Sequence, residues 1–323
     1  MPARKTQPSI IEERITVPLP NQQMAQLIRL YPAQTPGRAV FLLHGLMDDA
    51  NTFFDHHNRS GLAYVLAREG YDVYLGELRL RRVHPKLLKN QDFSLKQVLN
   101  EDLPALVRAM HKRAQPQPAI WMGQGLGCLL LSSYLARHPE DLERILGMVH
   151  FSPLRELQAA GRLKHLWINW LHERGLKFLS NLLGYVPAVN LKVGRCNEGR
   201  QYYQDALNWL KSPWVDDEGF DYHAAIQQLN WPPSLYFASL AHAWRASDAD
   251  ARAFMFDLGE HNGRLIKLGR HVGNQRNYKA TQLCLEQAAE DDYYPLILEW
   301  LVELARTAPV ADEPSRSARA RDQ

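Results

Sequence analysis

Two glycine-containing turns hold the residues best placed to do chemistry. Phe41-Leu42-Leu43-His44-Gly45-Leu46 closes an apolar run with His-Gly. About eighty residues later, Gly123-Gln124-Gly125-Leu126-Gly127 joins a second apolar run to a segment of helical character. A strand that turns sharply into a helix between two glycines presents the central residue of the turn at its tip, where an acyl-transfer enzyme places an activated nucleophile. The outer glycines are required because strand and helix backbones nearly touch there. The central residue takes a strained, near left-handed conformation that glycine accepts at little cost. Here that residue is Gly125. It has no side chain, so a covalent acyl intermediate cannot form on it. Ser132 and Ser133 stand further along the helix and cannot replace it, and Cys128 falls in its first turn, where it should be buried.

Other polar groupings are weaker. Asp48-Asp49 looks like a carboxylate pair, but adjacent loop residues usually face solvent, and His56-His57 reads as a surface pair at a helix start. No third ligand converges with either, so neither a metal nor another cofactor is expected. Cys128, Cys196 and Cys284 are odd in number and lack metal-like spacing, which fits a reducing, cytosolic compartment. Met1–Glu13 lacks the apolar stretch of a signal peptide, and no apolar run reaches the roughly 18 residues of a membrane-spanning helix.

These turns need elements to hold them. The chain has 323 residues, 46% hydrophobic and 23% charged, with a formal net charge of +3. That length suits one large α/β domain with an insertion, and the apolar fraction excludes global disorder. No basic stripe is present, so nucleic acid is not an expected partner. Arg14–Pro20 and Ala25–Pro32 read as a β-hairpin around Asn21-Gln22-Gln23. Buried strands are expected at Arg38–His44, Tyr71–Leu78, Ala119–Gly123, Gly147–Phe151, Ser234–Ser239 and Arg264–Gly269. Helices are expected at Gly61–Glu69, Leu95–Lys112, Leu126–Arg137, Asp248–Leu258 and Ala289–Thr307. Strands alternating with helices imply a mostly parallel sheet covered on both faces.

The alternation breaks between about Leu154 and Trp231, a stretch without a convincing strand that holds five of the eight tryptophans. Leu163, Leu166, Trp167, Trp170, Leu171, Phe178 and Leu182 recur there at helical spacing, as a face packed on the core or as a lid over an apolar cleft. The expected division is a core at 1–153, a helical cap at 154–232, the rest of the core at 233–307 and a disordered tail at 308–323.

At these motifs the chain resembles the α/β-hydrolase superfamily, in particular its acid-lipase-like and esterase-like members, over roughly Leu30 to Glu303. The resemblance extends to Gly70-Tyr71-Asp72-Val73-Tyr74-Leu75-Gly76, Ser212-Pro213-Trp214-Val215-Asp216-Asp217, Asp250-Ala251-Arg252-Ala253-Phe254 and Tyr294-Pro295-Leu296-Ile297-Leu298-Glu299-Trp300-Leu301. It implies an eight-stranded, mostly parallel sheet and a cap inserted after the sixth strand. It also implies a serine at position 125, a carboxylate at 242 and a histidine at 280. The chain has Gly125, His242 and Ala280 instead, and Arg79-Leu80-Arg81-Arg82 where an Arg-Gly-rich turn is common. His271 reaches the site only through a shifted loop. The backbone amides of Leu46 and Leu126 match the two oxyanion donors, which persist whatever the side chains are.

The expected protein is therefore a catalytically degenerate member that holds a hydrophobic, acyl-type ligand or a protein partner. His44, Gln124, Trp167 and Trp170 are its candidate pocket residues, although His44 also reads as a brace for its own loop. The alternative is an enzyme of the same fold, of esterase or lipase type or using proton transfer without a covalent intermediate.

Overall fold

The computed structural model describes residues 9–81, 83–89, 91, 93–155, 174–210, 213–241 and 248–307. The initial hairpin pairs β1 (Ile10–Pro18) antiparallel to β2 (Met24–Pro32). The remaining strands of the main sheet are β3 (Ala39–Leu43), β4 (Asp72–Glu77), β5 (Ala119–Gln124), β6 (Ile145–Phe151), β7 (Ser234–Ser239) and β8 (Gly263–Leu268). The eight lie in the order β1-β2-β4-β3-β5-β6-β7-β8, and every pair from β4 to β8 is parallel. Crossing back between β3 and β5 puts the two innermost strand ends, and the turns after them, side by side.

Period-two alternation sorts the strand residues between two faces. Phe41, Leu43, Trp121 and Tyr236 point to one face, where α2 (Leu103–His111), α3 (Leu126–Arg137) and α6 (Asp248–Asp257) cover them. Val40, Leu42, Ile120, Met122 and Phe237 point to the other, under α1 (Leu62–Arg68) and α7 (Tyr294–Thr307). Each face buries a continuous apolar layer, the dominant favourable contribution to folding.

Three expectations change. The segment from Leu95 to His111 is interrupted by a π-helical turn at Val98–Asp102 before α2 begins. Pro104 has no N–H to continue an α-helical ladder, and the chain is rewound just before it. The last helix starts at Tyr294 and not near Ala289. Pro295 falls in its first turn, where a missing N–H costs nothing, and a short 3-10 turn at Gln287–Glu290 precedes it.

The third change is in the insertion between β6 and β7. It does contain strands, a two-residue ribbon of Tyr185–Val186 paired antiparallel with Glu198–Gly199, too short to show any periodicity. Its helices include α4 (Lys177–Leu183) and α5 (Arg200–Trp209). The end of the expected amphipathic face does not pack on the core: Phe178 is 70% and Leu182 67% exposed. Leu176 and Ser180 are turned inward in their place. The rest of that face, with Trp167 and Trp170, lies outside the described residues, as do the tail at 308–323 and His242. No helix among the described residues is long and apolar enough to cross a membrane.

Candidate functional site

The C-terminal ends of β3, β5, β6 and β7 converge on one turn. Gly125 sits between the last residue of β5 and the first of α3, with φ 54° and ψ −119°. Its amide donates to the Phe151 carbonyl at 2.9 Å, which ties the turn to the end of β6. The three glycines differ sharply in the room around them. A Cβ on Gly123 would lie 2.6 Å from the Cys128 nitrogen, and one on Gly127 would lie 2.3 Å from the Leu43 carbonyl oxygen. One on Gly125 would meet no atom of the described residues within 4 Å. The outer glycines are sterically obligatory; Gly125 has room for a side chain among the described residues.

The loop after β3 lies against the same turn. A Cβ on Gly45 would be 2.9 Å from the Gln124 carbonyl oxygen and 3.6 Å from the Leu126 nitrogen. The Leu46 and Leu126 amides make no hydrogen bond to another described residue. Two uncommitted donors thus flank Gly125. His44 is fully buried. Its Nε2 accepts from the Leu78 amide at 3.4 Å, so Nδ1 carries the proton and donates to the Gly45 carbonyl at 2.9 Å. This bracing leaves His44 as a support for the loop and not as a ligand-facing group.

Gln124, expected to donate to a ligand, is committed internally. It is 4% exposed, its Oε1 accepts from the Thr52 hydroxyl at 2.6 Å, and its Nε2 donates to the Ala280 carbonyl at 3.3 Å. The same contact places the Ala280 carbonyl beside the turn. Ser239 holds that segment to the end of β7 by donating to the Tyr278 carbonyl at 2.5 Å. His271 is not brought in: it is exposed and folds back on Gly269. Ser132 and Ser133 are buried and bonded back to the carbonyls of Cys128 and Leu129. Burial pushes the Cys128 thiol well above its ordinary range, which keeps it protonated.

Several contributors escaped the sequence reading. Asp48 is buried, not solvent-facing. Desolvation pushes its carboxyl up to about 6, against the pull of the Arg195 guanidinium 3.4 Å away. Glu198, on the ribbon of the insertion, accepts from the Met47 amide at 3.0 Å and from Arg81 Nη1 at 2.7 Å. The amides of Arg195 and Cys196 both donate to the Met47 carbonyl. Met47 itself adopts φ 55°. The insertion therefore grips the residue next to Leu46 from both sides of its peptide unit. Ser152, one residue past β6, has φ 45° and a buried hydroxyl with no hydrogen-bond partner. No spacing rule marks Glu198 or Ser152; both act through contacts remote in sequence. Among the described residues no three His, Cys, Asp or Glu side chains are grouped to hold a metal ion. A cavity of about 350 Å³, lined by Lys96, Asp205, Trp209, Asp216 and Tyr222 among others, includes none of the turn's residues.

Solved structures share this arrangement of strands and turns. A thermophilic esterase from Thermogutta terrifontis superposes with a TM-score of 0.55 at 12% identity, covering 90% of this chain and 99% of the esterase. A putative lipase from Acinetobacter baumannii AYE gives 0.57 at 13%, with 93% of each chain covered. The fold is that of the α/β-hydrolases. In sequence, this α/β-hydrolase-fold chain is lipase-like over about a third of its length. It is 29% identical over 117 residues to lipase member K of Mus musculus and to human lysosomal acid lipase/cholesteryl ester hydrolase, 34% of this chain in each case. The match spans 29% of the length of each of these relatives. No protein-family model matches the chain.

Proposed function

We propose that this chain holds an acyl-type hydrophobic ligand in the cleft above Gly125 and forms no acyl-enzyme there. One observation carries the reading: the turn keeps a central residue at φ 54° with room for a side chain among the described residues, yet that residue is glycine. Hydrolysis through this position needs a hydroxyl, a base and a carboxylate acting as a unit. With Gly125, Ala280 and His242 at the matched positions, the hydroxyl, the base and the carboxylate are each missing from their places. The Leu46 and Leu126 amides are suited to receive a carbonyl or carboxylate oxygen, which requires no nucleophile. The likeness to lipases supports an acyl chain as the remainder of the ligand.

The test is a thermal scan against straight-chain acids, esters and alcohols. At a ligand concentration of one hundred times Kd, mass action adds about 2.7 kcal/mol to stability, a readily measured rise in melting temperature. A panel that moves nothing rejects the acyl reading and leaves a protein-binding scaffold, for which a co-purifying partner is the expected sign.

A second reading is hydrolysis by other residues of the same cleft. The names of the relatives favour it, and Ser152 supplies an unbonded hydroxyl next to the residue that anchors Gly125. Turnover of p-nitrophenyl esters by purified protein, abolished by Ser152→Ala, is its expected signature.

A further inference from the structure

Two arginines two residues apart, just past β4, are satisfied very differently. Arg79 is fully buried and serves two carboxylates: its Nε donates to Asp102 at 2.6 Å and its Nη2 to Glu101 at 2.5 Å. Arg81 is also buried, its side chain 1% exposed, but it has a single carboxylate partner, Glu198, held through Nη1. Its Nε and Nη2 have no hydrogen-bond partner. Those two atoms form the edge of a guanidinium that matches a planar oxyanion with two parallel bonds. Arg29 uses that edge here, gripping the two oxygens of Asp72 at 2.8 and 3.0 Å.

A third buried donor without a partner belongs to the aromatic ring that the guanidinium packs over. The Arg81 guanidinium carbon sits 5.5 Å from the centre of the Tyr202 ring, and the buried Tyr202 hydroxyl has no partner either. Burial pushes the Tyr202 phenol well above its ordinary range, so it remains a donor. Leaving a buried donor unmade costs on the order of 1–3 kcal/mol, and more on a charged group. Three buried donors without an acceptor, carried by two side chains in contact, describe a site for an anion. The site adjoins the cleft, because the Glu198 carboxylate that holds Arg81 also holds the amide of Met47, the residue after Leu46.

We infer that the Nε–Nη2 edge of Arg81, with the Tyr202 hydroxyl, is a carboxylate-binding site that takes the head group of a free fatty acid. The inference rests on the acyl-binding reading and moves its head group: the ligand is an acid and not an ester, and its carboxylate is held by Arg81 in place of the Leu46 and Leu126 amides. The edge is closed to solvent in this arrangement, so the acid enters through a movement that leaves the Arg81–Glu198 pair in place. Arg81 then serves two carboxylates, as Arg79 does.

Isothermal titration with decanoate, methyl decanoate and acetate tests this on the full chain. Decanoate should bind at least tenfold more tightly than its methyl ester, as expected for charge-assisted bonds to a buried guanidinium. Arg81→Lys keeps a cation for Glu198 but lacks the fork, and should lose roughly tenfold or more in decanoate affinity. Tyr202→Phe removes a hydroxyl with no partner, so it should fold as well as wild type while weakening decanoate a few-fold. Equal binding of decanoate and methyl decanoate, with both variants unchanged, overturns the carboxylate site and leaves the acyl reading standing. A bound water on the edge would give that same result. Acetate binding as tightly as decanoate keeps the carboxylate site and removes the acyl chain. Binding of none of the three overturns both.

Discussion

The turn at Gly125 and the loop at Leu46 lie against each other, yet they are held in place by opposite means. The turn is held by exclusion: Gly123 and Gly127 leave no room for a Cβ, and its geometry follows from local backbone packing. The loop is held by attachment, with Glu198, Arg195 and Cys196 of the insertion all bonded to Met47. A locally packed turn keeps its shape when the residue at its tip changes, and Gly125 sits at that tip with φ 54°. A loop held from a distance depends on a segment that another part of the chain must deliver. The position of the Leu46 and Leu126 amides therefore does not depend on the side chain at the tip, provided the insertion stays docked.

The largest effect should come from breaking the attachment. Glu198→Ala strands the buried Arg81 charge and frees the Met47 amide, and is expected to destabilise by about 3–5 kcal/mol in urea unfolding. A loss below about 1 kcal/mol would show that the loop holds itself. Next is the exclusion. Gly127→Ala forces a methyl to 2.3 Å from the Leu43 carbonyl oxygen, and should cost more than about 3 kcal/mol by the same measurement.

Asp48 separates the two regions by pH. Its carboxyl is held up to about 6, above the ordinary 3.8, so the stability it contributes is complete below about pH 4 and is lost as pH rises through 6. Asp48→Asn lacks that loss. Its melting temperature should gain on wild type between pH 4 and pH 7, by the equivalent of about 2–3 kcal/mol. A gap that does not change with pH would place Asp48 in a more hydrated setting than its burial implies. The smallest effect belongs to the tip. Gly125→Ser meets no neighbour among the described residues, so the strained positive-φ backbone opposes it, at about 1–2 kcal/mol. It should fold and, lacking a base, hydrolyse no ester at a measurable rate. The triple change Gly125→Ser, His242→Asp, Ala280→His should give detectable p-nitrophenyl ester turnover where the single change gives none.

The same contrast explains what could be read from the sequence. β3, β5 and the Gly123–Gly127 turn are local patterns, an apolar run followed by fixed glycine spacing, and they were legible residue by residue. The two faces of the sheet followed from alternation such as Val40, Phe41, Leu42, Leu43. Glu198, Arg81 and Met47 were not legible as a unit, since they join positions 117 and 151 residues apart. The ribbon at Tyr185–Val186 has too few residues for any period. Gln124 was read as ligand-facing because its neighbours define a turn. What commits it is Thr52 and Ala280, which only the fold brings near.

The central claim is that the cleft keeps its architecture without an activated nucleophile. Intact-protein mass spectrometry after incubation with a fluorophosphonate tests it most directly, because that reagent bonds only to a hydroxyl activated by a base. Wild-type protein should remain unmodified under conditions that label an authentic serine esterase to completion. A stoichiometric adduct on wild type, mapped by peptide sequencing to Ser152 or any other serine of the cleft, would contradict the account.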